Sequence, residues 1–335
     1  MKAYMPQDRN APRELQQRMA RAAISKELGP ERLATLHRQI PVLDLAAVFG
    51  SIVAFALLAW QLAVRELADP LWWIALFVQG NLVVVMSIIN HDVFVHRKFL
   101  PVPVRWVVSS ILVAPAMLRG SLYESRHLTH HRALGTKDDT ETLNLGINTV
   151  FRRAVYATPA LLVFRALFYR GLVVASNDKP AFGGVRRAVW ERNTRYSLIV
   201  LALASLAFNW QLLIVGYLLP LLVIGPLVNT MRIVLEHFDL EPRNPFWVGT
   251  FYRCGPLTKL MYWWGAGDCH IVHHFYPTVP FYRMNAALRL IVPILRREGV
   301  YEHRSLLPLL RDWFMASRGH WSVPAEVSSM PPKSS

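Results

Sequence analysis

Two long apolar runs set the frame of this chain. From Val42 to Val64 nearly every position is hydrophobic, the strongly polar exceptions being Asp44 near the start and Gln61 near the end. A polar turn, Arg65-Glu66-Leu67-Ala68-Asp69-Pro70, leads to a second run, Leu71 to Asn90, with Trp72 and Trp73 at its mouth. Each run matches the ~20 residues that carry an α-helix across ~30 Å of hydrocarbon, and tryptophans at the mouth suit an interface anchor. Together they read as a transmembrane hairpin, with Gln79 and Asn81 as helix–helix hydrogen-bonding groups. A third run, Tyr196 to Met231, goes 36 residues without a charge. That is too long for one crossing. Asn209-Trp210-Gln211 therefore predicts the turn of a second hairpin, with Pro220 and Pro226 kinking the returning helix.

The segments between and around the hairpins are more polar. Val102 to Leu118 is apolar but contains Pro103, Arg105 and Pro115, which places it on the membrane surface or as a re-entrant piece. Ile147 to Ser176 is amphipathic and carries Arg152, Arg153, Pro159, Arg165 and Arg170. A central arginine costs a spanning helix roughly 2.5–3.5 kcal/mol, so this segment reads as an interfacial helix. Residues 1–41 predict one or two lead-in helices on the cytoplasmic side, with His37 on their surface and no cleavable signal peptide. The tail 322–335 is expected to be disordered.

The expected architecture is an all-α integral membrane protein forming one domain over 1–335. Its parts are a lead at 1–41, a first hairpin at 42–90, a cytoplasmic and interfacial stretch at 91–195, a second hairpin at 196–235, and a cytoplasmic histidine-rich cap at 236–321. Composition agrees: 53% of residues are hydrophobic, 18% are charged, and mean hydropathy is +0.26. The net charge of +15 would suggest nucleic acid in a soluble protein, but no nucleic-acid-binding module accompanies it. Of 37 Lys and Arg residues, 8 precede the first hairpin, 16 lie between 91 and 195, and 12 lie from Arg232 onward, with only Arg65 in an external turn. This inside-positive distribution puts both termini in the cytoplasm. Arginine outnumbers lysine 30 to 7, which hints at a GC-rich genome and a bacterial inner membrane. The two cysteines, Cys254 and Cys269, exclude a disulfide scaffold, a zinc ribbon and an internal iron–sulfur cluster.

Histidine placement changes the picture from architecture to chemistry. Nine of twelve histidines fall in four places. His91 and His96 follow the first hairpin, His127, His130 and His131 come next, His237 follows the second hairpin, and His270, His273 and His274 lie beyond. The two triplets share an i, i+3, i+4 spacing that presents three imidazoles on one helical face. Imidazole binds iron, zinc, copper and nickel, and nine nitrogens suit two ions with four or five ligands each. On a continuous α-helix, His91 and His96 would point about 140° apart. They share an ion only if the helix ends or bends there, and otherwise serve different ions. Asp92, Glu236 and Asp268 each adjoin a cluster, and Asp138 and Asp139 lie nearby; carboxylates in such places can orient a ligating ring. The His-Glu-x-x-His of zinc proteases is absent, and Gly265-Ala266-Gly267 is no nucleotide-binding fingerprint.

With His91-x4-His96, His127-x2-His130-His131, His270-x2-His273-His274, the extra Glu236-His237 and the run Phe275-Tyr276-Pro277-Thr278-Val279-Pro280, the sequence resembles the integral-membrane fatty-acid desaturase and hydroxylase superfamily over residues 42 to 290. The resemblance implies a non-haem di-iron centre held by the nine histidines, with O₂ as co-substrate and a lipid or fatty-acyl chain as substrate. It leaves open which histidine binds which iron. The chain has no electron-carrying module of its own, so electrons are expected from a ferredoxin-type or cytochrome-type partner with its reductase. The leading expectation is a fatty-acyl desaturase. A hydroxylase or ketolase acting on a sterol, carotenoid or acyl chain is the alternative, and a metal transporter, which would want ligands near the bilayer midplane, is a remote one.

Overall fold

A computed structural model of the chain describes residues 13–134, 139–140, 184–237, 244–259, 267–303 and 305–315. The expected interfacial helix at 147–176, Asp138 and the tail from Ser322 lie outside the described residues.

The first hairpin forms as the hydrophobic pattern predicts. Helix α3 (Pro41–Val64) and helix α4 (Pro70–Asn90) both begin with proline in the first turn, where a missing N–H costs nothing. Asp69 caps α4, its carboxylate accepting the Leu71 N–H at 2.9 Å, and Arg65 pairs with the same carboxylate group across the turn. Trp73 stays exposed at this mouth. Trp72 differs from the expected interface anchor: it is buried, and its indole N–H donates to the Leu62 carbonyl at 3.1 Å. The large ring fills the space between α3 and α4 once its single donor finds a partner.

Helix α7 (Gly184–Leu213) breaks at Asn209, whose backbone (φ −158°, ψ 99°) is extended. Its Oδ1 accepts the Gln211 N–H at 2.9 Å, the bond that starts a new helix. After a π segment (Ile214–Leu218), α8 (Leu219–His237) runs back. The direction follows from packing. The first turns of α7 are tied to α6 (Gly120–Ala133) at the histidine end by Arg187, which binds Glu124 and Glu191, while Ser121 donates to Glu191. Beyond the break, Val215 and Leu219 pack with Leu62 and Trp72 at the opposite end, and α8 returns to place His237 among the other histidines. Pro220 cannot donate to the Gly216 carbonyl four residues back. Gln79 of α4 fills that role at 3.0 Å and also donates to Phe55 of α3 at 3.1 Å. One amide thus joins three helices. Asn81 instead bonds the Phe77 carbonyl of its own helix. Close approach of α4 and α8 depends on Gly80, where a Cβ would come within 2.3 Å of Ile224.

Three helical segments among the described residues are long and apolar enough to cross a membrane: Pro30–Val64, Pro70–His96 and Gly184–Asn229. A bent pair, α5 (Val102–Val113) with its short extension to Ala116 and α6 (Gly120–Ala133), adds a fourth if counted as one span. The two limbs meet at 85°. Val108 and Leu112 of α5 are buried against α4, and Ser109 donates to Asn90 at 2.6 Å. The segment is therefore embedded in the bundle rather than laid on its surface, and α6 comes back to the histidine end.

The N-terminal lead is more than an approach. Helices α1 (Arg13–Leu28) and α2 (Pro30–His37), joined at Gly29 with φ +76°, bury Ala20, Ile24, Leu28 and Leu36. These side chains share a core with Ile271, Val272 and Phe275 of α9 (His270–Phe275), with Tyr276 just after it, and with Met284, Leu288 and Ile291 of α10 (Phe281–Arg297). Ser25 bonds the Tyr276 hydroxyl at 2.9 Å, and the Ile40 N–H donates to Tyr282 at 2.6 Å. His37, expected on the surface, is half-buried with its ring edge-on to Tyr276. A two-residue parallel pair, β1 (Phe251–Tyr252) with β2 (Glu302–His303), and helix α11 (Leu306–Met315) complete the cap.

Candidate metal centre

The first histidine pair resolves the spacing problem by changing helix type. His91–His96 is a π turn continuing α4, in which backbone bonds run i to i+5 and residues five apart come side by side. The Nε2 atoms of His91 and His96 are 3.2 Å apart. Helix α6 supplies the next three histidines and α9 the last three, each with regular helical spacing, and His237 ends α8.

The nine rings converge as two adjacent groups. In the first, one nitrogen from each of His91, His96, His127, His131 and His273 lies within 4.8 Å of all the others. His91 faces His127 at 2.6 Å, and His131 faces His127 at 2.8 Å and His273 at 2.9 Å, all through Nε2. In the second, His130, His237 and His274 converge within the same limit, and His270 Nε2 sits 3.0 Å from His237 and 2.9 Å from His274. The helical period explains the division. Residues four apart stay together, so His127 goes with His131 and His270 with His274. Their sequence neighbours His130 and His273 fall to the opposite group.

Such a donor set fits metal ions. A neutral imidazole carries one lone pair and one N–H, so five ring nitrogens facing a common point cannot satisfy one another. Burial, and then the neighbouring rings, drive the basicity of His270, His273 and His274 well below the usual histidine value. That keeps them in the neutral form that binds metal. Asp139 accepts the Nδ1–H of His130 at 2.8 Å, which leaves Nε2 as the lone-pair nitrogen. Glu236 lies 3.5 Å from His270 Nδ1 and is itself held by Arg232 at 2.7 Å.

Two carboxylates expected to orient histidines have other partners. Asp268 takes the Cys254 N–H at 3.2 Å and the Lys259 ammonium at 3.0 Å, bracing the approach to α9. Asp92 binds Arg97 at 2.6 Å, and Arg97 in turn grips Asp44 of α3 with two bonds of 2.7 and 2.8 Å. Each is engaged by a nearby cationic side chain, Asp92 by Arg97 and Asp268 by Lys259. Sequence reasoning missed Arg97 altogether, and took Asp44 for a polar lapse at the start of an apolar run. A charge at such a place, with an arginine just past the following helix, was the available signal. Tyr123 was also missed: one turn before His127, its ring stacks on that imidazole at 5.8 Å with an 11° tilt.

A cavity of about 50 Å³ beside the rings is lined by the apolar Ile88, Phe281 and Met284 together with His91, His270 and His273, with Asp92, Arg232 and Glu236 among the rest. No curated protein matches the chain. The model of the fatty acid desaturase family matches residues 70–305, more than half the chain, and takes in α4, both histidine triplets and His237. The chain belongs to the fatty acid desaturase family.

Proposed function

We propose that the protein is an O₂-dependent di-iron desaturase that introduces a double bond into the alkyl chain of a fatty-acyl lipid. The observation that carries this reading is the pairing of two histidine groups at one end of an apolar bundle with a small cavity lined by both histidine rings and apolar side chains. The first group, His91, His96, His127, His131 and His273, would hold one iron. The second, His130, His237, His270 and His274, would hold the other. Iron bound there supplies the oxidising power, drawn from O₂, that removes hydrogen from an unactivated C–H bond, which no ordinary side chain provides. In balance, a –CH₂–CH₂– unit, O₂, two electrons and two protons give –CH=CH– and two waters.

The chain's own residues do the rest. Ile88, Phe281 and Met284 would seat the reacting methylenes against the histidines and exclude bulk water. Asp139 keeps the proton of His130 on Nδ1, so that the lone pair of Nε2 faces inward. Four spans, α3, α4, α7 and α8, would bring the centre to the inner edge of a bacterial membrane, with both termini in the cytoplasm. There the acyl chain enters from lipid. Electrons would come from an acidic ferredoxin-type or cytochrome-type carrier docking on the basic cytoplasmic face. Its reconstituted turnover is then expected to fall steeply with added salt, and turnover indifferent to salt would reject that docking mode.

The test of the reaction is lipid profiling of a host with and without the gene. A new product two mass units lighter than its precursor supports desaturation. A product heavier by one oxygen assigns hydroxylation, and an unchanged lipid profile from iron-loaded protein removes the lipid-oxidation reading.

A further inference from the structure

We propose that Arg97 is a positioning residue for the metal centre: by gripping Asp44 of α3 and Asp92 inside the π turn, it holds His91 and His96 side by side for the five-histidine group. The inference rests on the reading of those histidines as metal ligands.

All three guanidinium nitrogens are committed. Nη1 and Nη2 donate to the two Asp44 oxygens at 2.7 and 2.8 Å, Nη2 also reaches Asp92 Oδ2 at 2.6 Å, and Nε donates to the Asp92 backbone carbonyl at 3.2 Å. The Arg97 and Asp44 side chains are completely buried. The last carbonyls of a helix lack donors within it, and here Arg97 provides one from the residue that immediately follows His96. Asp92 Oδ2 also faces the N–H of Phe281, the first residue of α10, at 3.3 Å. The clamp therefore joins α3, the turn bearing His91 and His96, and the segment that follows His273. Arg97 thus holds the piece of chain that carries His91 and His96, and Asp92 extends the contact to Phe281, downstream of His273. Arg97 itself does not line the cavity, so it acts through the ligands and not on substrate. Lysine preserves the charge but cannot reproduce a planar fork that binds two carboxylates and a carbonyl.

The test is iron per chain, with kcat and KM, for Arg97→Lys purified from membranes and reconstituted with ferrous iron. Wild type is expected to hold about two irons and the variant about one, because the second group does not touch the clamp, with kcat reduced at least tenfold and KM within about twofold. Asp44→Asn, which keeps the shape and leaves Arg97 on Asp92, is expected to weaken only the same iron, by about threefold to tenfold. Two irons at wild-type affinity and an unchanged kcat in Arg97→Lys would overturn the proposal. Should Arg97→Lys fail to insert, Asp44→Asn decides in its place, and full iron at wild-type affinity there overturns it equally. If wild type holds no iron, the histidine reading itself falls and takes the clamp with it.

Discussion

His91 and His96 reach the five-histidine group through a π turn braced by a buried arginine, whereas His130 and His270 project from ordinary α-helical turns, with Asp139 on one ring and Glu236 near the other. The first group depends on a deformation of the backbone. The second depends on carboxylates that face individual imidazoles. A defect in the backbone brace should move two ligands together, and a defect in a carboxylate should turn one ring.

The comparison breaks most sharply at adjacent residues. His273→Ala and His274→Ala remove ligands from different groups, as do His131→Ala and His130→Ala. Each is expected to lower iron to about one per chain and activity by at least a hundredfold while membrane insertion persists. Full iron or activity in any of them would remove that residue from the ligand set. Next in size, Asp139→Ala should weaken iron binding at the second group by about tenfold to a hundredfold, without changing the first. Titration with a coloured chelator would read this, and an equal loss from both groups would argue that they are not separate. Gln79→Leu tests the bundle away from the metals. It strips the Gly216 and Phe55 carbonyls of their shared donor and should cost about 1–3 kcal/mol of stability with iron content unchanged.

The smallest effect lies in the cap. Burial opposes the charge of Glu302, but the guanidiniums of Arg296 and Arg253 outweigh it and hold its carboxyl below the usual carboxylate value. A lowered value in the fold contributes stability that is complete above the unfolded value and is lost as pH falls through the folded one. Glu302→Gln should therefore lower the melting temperature slightly at pH 7 and leave it nearly unchanged near pH 3. An equal shift at both would show that the ion pairs are not the cause.

The long apolar helices and the two histidine triplets were legible because hydrophobic run length and i, i+3, i+4 spacing are local signals. The Asn209 turn was legible too, since 36 uncharged residues leave few places for a reversal. The π turn was not, because His-Asp-Val-Phe-Val-His fits an α-helix equally well by pattern. The bond from Arg97 to Asp44 that braces it spans 53 positions and leaves no local mark in the sequence. The role of α1 and α2 was also hidden. Their mixed polar sequence reads as a surface approach, and only the presence of α9 and α10 reveals which apolar face is covered.

The seam between α1 and the last histidine triplet sets an order of manufacture. Ser25 leaves the ribosome some 250 residues before its partner Tyr276, and neither histidine group is complete until His273 or His274 has been made. The N-terminal helices are therefore made well before α9 and α10, the elements that complete their core. On the reading of these histidines as metal ligands, loading accordingly follows the synthesis of the last triplet.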